Sequence, residues 1–153
     1  MSIVIEEKTQ HITMMLNSTI TSVKNVIPIP HQVSEPSILP TPLNIQYGVL
    51  IGLTGDVKGN LVLTGNPKIF SAIGESLFGM PIEGDMLSSF SGELGNMIAG
   101  GLATSISTQG INTDISAPTI LQGNTNLTGF GKAIRLTIQF ELMGNLDICL
   151  LLD

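Results

Sequence analysis

Ser89-Phe90-Ser91-Gly92-Glu93-Leu94-Gly95-Asn96-Met97-Ile98-Ala99-Gly100-Gly101 is the stretch on which the reading of this chain turns. Wound at roughly 100° per residue over positions 86–107, it reads as an amphipathic helix. Leu87, Phe90, Leu94, Met97, Ile98, Leu102 and Ile106 gather into a stripe that should face a core. Ser89, Glu93, Asn96, Gly100 and Ala103 line up on the other side, where only Glu93 and Asn96 have reach. A solvated helix face is ordinarily rich in Lys, Glu, Gln and Arg, which form helices better than Gly. Each glycine in a helix interior costs about 0.5–1 kcal/mol relative to Ala. Small residues there, Gly92, Gly100 and Ala103 among them, let another molecule's backbone come close. The bare reading of the spacing leaves two alternatives open: a docking ridge, or a solvated face whose Glu and Asn are incidental.

The rest of the chain sets the frame. Its 153 residues suit one domain, taken as 1–153, with room for a core. With 42% hydrophobic residues, no Trp and few aromatics, that core must be built from Ile, Leu, Val and Met. Twelve acidic against six basic residues leave a net charge of −6. This argues against nucleic acid, which is held through Lys and Arg on phosphates, and against an anionic membrane surface. No apolar run approaches the roughly 18–20 residues of a membrane span, and the N-terminus lacks the pattern of a signal peptide. A soluble, cytoplasmic protein is expected. The single cysteine, Cys149, lies in the apolar run 146–152 and reads as a small buried hydrophobe.

Helical spacing of Ile12, Met15, Leu16, Thr19, Ile20 and Val23 predicts a helix over residues 8–26. Five prolines between positions 28 and 42 then predict an extended surface connector with one edge strand. Residues 44–53 and 59–63 flank Thr54-Gly55-Asp56-Val57-Lys58 and predict a β-hairpin. Asn66-Pro67 starts a second helix, stopped by Gly79 and Pro81, and Asp85 is a candidate N-cap for the third. Strands are predicted at 112–121, 132–142 and 146–152, the last two joined through Met143-Gly144-Asn145. The order implies an α+β fold, long amphipathic helices packed on an antiparallel β-sheet.

Familiar catalytic devices are missing. His11 and His31 belong to no metal-ligand spacing, so no metal site is expected. No nucleophile elbow, Walker loop or dinucleotide fingerprint occurs. Glu93 and Asn96 remain.

The run Ser89-x-x-x-Glu93-x-x-Asn96, continuing into Met97-Ile98-Ala99-Gly100, resembles the signature of the CheC/CheX/FliY chemotaxis phosphatases. The segments 52–59 and Ser116-Ala117-Pro118-Thr119 extend that likeness over most of residues 45–152. The first helix offers no second Glu-x-x-Asn element, since Asn17 and Asn25 lack an acidic residue three positions earlier. The resemblance is therefore to CheX, the single-site branch. It implies a phosphatase for the phosphoaspartate of a CheY-type response regulator, with Asn96 orienting the attacking water and Glu93 docking the partner. Ser89, Gly92, Gly100 and Ala103 would then be partner contacts. It further implies a homodimer associated through its sheets. No cofactor is expected on this chain, the Mg²⁺ belonging to the response regulator. The rival readings are a non-catalytic adaptor for a response regulator or the flagellar switch, and a structural subunit of that switch.

Overall fold

The strand Leu43–Gly55 (β3) organises the molecule. Its alternation turns Tyr47, Val49, Ile51 and Leu53 toward the main core. The computed structural model describes residues 3–40 and 42–153, with side-chain detail from Thr9 onward. Around β3 the chain runs as α1 (Ile3–Val26), β1 (His31–Val33), β2 (Ser37–Leu39), β3, β4 (Gly59–Thr64), α2 (Pro67–Phe78) and α3 (Asp85–Ser107). Four strands follow: β5 (Thr113–Ile115), β6 (Thr119–Leu127), β7 (Lys132–Phe140) and β8 (Gly144–Leu152). They form one sheet in the order β1-β7-β8-β4-β3-β5, with β2 also on β7 and β6 also on β3. Every pairing is antiparallel. The α+β architecture expected from the element order is the one observed.

The helices cover one face. α3 packs on β3 through β6, α1 lies against α3, and α2 bridges α3 and β8. Leu94, Ile98, Leu102 and Ile106 of α3 are essentially without solvent exposure and meet the β3, β4 and β8 side chains in one core. A smaller apolar cluster of Ile45, Val62, Ala133, Cys149 and Leu151 lies apart from it. Ile45 joins that second cluster because the register of β3 against β6 slips between Ile45 and Tyr47. A bulge of this kind breaks the two-residue period and reorients the side chain.

Several local expectations are corrected. The first helix begins at Ile3 rather than at residue 8. The proline-rich segment holds two short strands, β1 and β2, each between prolines and both on β7. The predicted strand 112–121 is broken at Ser116-Ala117-Pro118, since Pro118 has no N–H for a ladder. There Ser116 Oγ accepts from Gly52 N at 2.7 Å and takes the place of a backbone partner. Asp85 is the first residue of α3, not its cap; Gly84 holds the cap position at φ 60°, ψ −133°. The last hairpin turns earlier than predicted, so that Phe140 pairs with Gly144 and Leu142 sits at the tip with φ 68°. Asn66 does cap α2, its side chain accepting from Lys68 N at 2.9 Å.

Candidate functional site

On α3 the solvent-facing arc carries Ser89 and Glu93, both exposed, and Asn96, Gly100 and Ala103, each half-buried. At 3.6 residues per turn Glu93 and Asn96 stand about 60° apart around the axis, and their Cβ atoms are about 5–6 Å apart. Two placements differ from the sequence reading. Met97, assigned to the core stripe, is 39% exposed. Gly92, assigned to the partner-facing track, is buried, and a Cβ there would lie 3.5 Å from Ile120 Cδ1 and 3.6 Å from Pro118 Cγ. The β5–β6 connection and the start of β6 cover that flank at ordinary van der Waals distance.

The remaining glycines of the stretch divide the same way. A Cβ on Gly95 would come within 2.9 Å of Val49 Cγ1 and 3.1 Å of Ile51 Cδ1, so the helix rides close on β3. One on Gly101 would collide with Ser22 Oγ of α1. Only Gly100 has nothing within 4 Å. Gly95 and Gly101 therefore serve internal packing, Gly92 is covered at ordinary contact distance, and the open ridge is narrower than the sequence suggests.

Polar contacts fix the roll of the helix. Tyr47 Oη donates to Ser91 Oγ at 2.9 Å in the buried space between β3 and α3. Tyr47 is itself held by the edge of Phe70, with ring centroids 5.1 Å apart. On the other side Ser22 Oγ donates to Ile98 O at 2.8 Å, and Ser105 Oγ to Ser18 Oγ at 2.9 Å. Sequence reasoning passed over Ser91, Tyr47 and Ser22. The available signal was the seven-residue recurrence of Ser91, Ile98 and Ser105, with Ser18 and Ser22 one turn apart on the first helix.

Glu93 and Asn96 themselves are uncommitted. Among the described residues neither side chain makes a hydrogen bond or an ion pair. Four surface clefts of about 310–490 Å³ among the described residues lie against α1, the proline-rich segment, the β3–β4 turn and the edges of β7 and β8. Among the described residues no group of three His, Cys, Asp or Glu converges to hold a metal ion. The site is a convex ridge carrying one free carboxylate and one free carboxamide.

Comparison with known proteins establishes the lineage and the fold. The family model described as chemotaxis phosphatase CheX matches residues 47–141, which include all of α2 and α3. The CheY-P phosphatase CheX of Thermotoga maritima is 26% identical over 133 residues, covering 83% of this chain and 85% of that protein. Among solved structures, CheX from Desulfovibrio desulfuricans superposes with a TM-score of 0.77 at 16% identity, covering 92% of this chain and 97% of that one. CheX in the CheX–CheY–BeF₃–Mg²⁺ complex of Borrelia burgdorferi superposes with a TM-score of 0.74 at 16% identity, covering 92% and 96%. At those identities the structures speak for the fold, and the family model for the lineage: this chain is a member of the CheX family of chemotaxis phosphatases.

Proposed function

We propose that this chain hydrolyses the phosphoaspartate of a CheY-type response regulator, inserting α3 so that Asn96 reaches the phosphoryl group. The observation that carries the reading is the free Asn96 carboxamide, half-buried on a convex helix beside exposed Glu93, within the segment matched by the family model. The naming of the Thermotoga maritima relative as a CheY-P phosphatase supports the substrate class.

The chemistry asks little of the protein. Water attacks phosphorus in line, the bond from phosphorus to the aspartate oxygen breaks, and the carboxylate leaves with the bonding pair. The protons of the water end on inorganic phosphate and solvent. Catalysis of phosphoryl transfer rests on positioning and charge stabilisation. Asn96 Oδ1 accepts a hydrogen bond from the water while Nδ2 donates to a phosphoryl oxygen. A carboxamide does not titrate near neutrality, so its part is orientation, like that of the water-positioning glutamine of small GTPases. Glu93, one turn earlier, pairs with a cation of the regulator and sets the depth of insertion. The Mg²⁺ beside the phosphoryl group comes with the regulator as part of the substrate.

Phosphate release from a phosphorylated regulator tests this. Asn96→Ala is expected to lose about 10²-fold in rate, or ~2.7 kcal/mol of barrier, with binding retained. Glu93→Ala is expected to raise KM. Full activity of Asn96→Ala removes the mechanism, and binding without hydrolysis by the wild type hands the chain to the adaptor reading. The homodimer implied by the family resemblance belongs to the same proposal, and light scattering of the purified protein tests it.

A further inference from the structure

Six large hydrophobic side chains stand exposed among the described residues, and four of them lie on the end of α2, on its connection to α3, or on α3 itself: Phe78 (62%), Met80 (48%), Met86 (50%) and Met97 (39%). Phe78 at the end of α2 meets Phe90 of α3 edge-on, centroids 5.8 Å apart, which joins the two helices there. Met86 and Met97 are three turns apart on α3, with Glu93 between them on the same side of the helix. Exposed apolar side chains therefore recur from the α2–α3 connection along the side of α3 that carries Glu93, away from the Gly92 flank covered by Pro118 and Ile120. Methionine here is a flexible, polarisable contact that can adapt to a partner's surface.

The charge around these side chains has one sign. Between Lys68 and Lys132 the sequence contains no Lys, Arg or His. Glu75, Glu83, Asp85 and Glu93 are all exposed on α2, on its connection to α3, or on α3. A two-fold pairing of copies places the same patch against itself, which would oppose these acids to one another. An anionic lipid surface is repelled for the same reason. The remaining occupant is a protein with an apolar patch rimmed by Lys or Arg.

We propose that this surface is the second half of the regulator's docking footprint: the phosphorylated regulator lays an apolar patch on Met86, Met97 and Phe78 while its cations face Glu83, Asp85 and Glu93. The proposal rests on the phosphatase reading for the identity of the partner, but it assigns affinity to residues outside the Asn96 chemistry. Buried interface centres with a charged rim carry most of a complex's binding energy in a few side chains.

The test measures binding of a CheY-type regulator in its beryllofluoride–Mg²⁺ form, alongside phosphate release from the phosphorylated form. The variant Met86→Ser with Met97→Ser is expected to weaken binding about tenfold or more and to raise KM with kcat unchanged. Leu142→Ser, at a fully exposed position on the β7–β8 hairpin, is expected to bind like wild type. Asn96→Ala is expected to bind like wild type and to turn over about 10²-fold more slowly. Both methionines are exposed, so the double variant should keep its circular dichroism and melting temperature. Wild-type affinity in the double variant overturns the docking proposal, and so does conversion of a dimer to monomer by the same changes. Wild-type protein that binds in a methionine-dependent way without releasing phosphate leaves the docking surface standing and removes the phosphatase reading. Absence of any binding by the wild type removes both.

Discussion

Leu142 and Cys149 show how single residues report their surroundings. Leu142 is fully exposed and sits at φ 68°, in the left-handed region that a branched side chain pays to occupy. Leu142→Gly is expected to stabilise the fold by up to about 1 kcal/mol, since glycine adopts that conformation without steric cost. A lower melting temperature in this variant would contradict the assignment of strain to the hairpin tip. Burial pushes the Cys149 thiol from 9.0 up to about 12, with the Asp147 carboxylate adding to the rise and the Arg135 guanidinium opposing it. Between those pH values the unfolded chain gives up a proton that the folded chain retains, so unfolding becomes easier as pH rises. Below pH 9.0 the group contributes no pH dependence. Denaturant midpoints are expected to fall over this alkaline window in the wild type, with a smaller fall in Cys149→Ala; identical slopes would show that the thiol is not protected.

At the scale of the element, α3 is a helix whose orientation is set by its covered sides. Gly95 lets it sit on Val49 and Ile51, Gly101 lets α1 approach, and Tyr47 pins Ser91. Gly101→Ala is expected to destabilise by about 1–3 kcal/mol through overpacking. Ser22→Ala in the same chain should restore part of that loss, because the Ser22 hydroxyl is the nearest atom in the way. A double-mutant cycle by chemical denaturation measures the coupling, and strict additivity would mean that the helices separate instead of colliding. Tyr47→Phe removes a donor from buried Ser91 and is expected to cost about 1–3 kcal/mol of stability. Because it frees the roll of the helix that carries Asn96, it should also lower kcat more than it raises KM. Unchanged kcat in Tyr47→Phe would show that packing alone holds the helix.

At the scale of the whole molecule, charge is divided along the chain. All six Lys and Arg lie at or before Lys68 or at or after Lys132, while Glu75, Glu83, Asp85 and Glu93 surround the exposed ridge. A one-signed face steers an oppositely charged partner and loses that advantage as salt screens it. The association rate with the regulator is expected to fall steeply between low and physiological salt, and the fall should flatten in Glu83→Gln with Asp85→Asn. Equal salt dependence in that pair would place the steering elsewhere. Among the described residues no helix is long and apolar enough to cross a membrane.

Local sequence alone sets the elements and the polar pair. Periodicity and caps act within a few residues, so the hairpin around Asp56, the Asn66 cap and the position of Glu93 and Asn96 on one solvent-facing arc were all legible. Which other parts of α3 are covered is not local information. Gly92 is covered by Pro118 and Ile120, Gly101 by Ser22, and Ser91 by Tyr47, all from distant stretches of chain, while Met97 stays 39% exposed. A helix has one pattern but several sides, and only the packing of its neighbours decides which side is core, which is seam and which is left to meet another molecule.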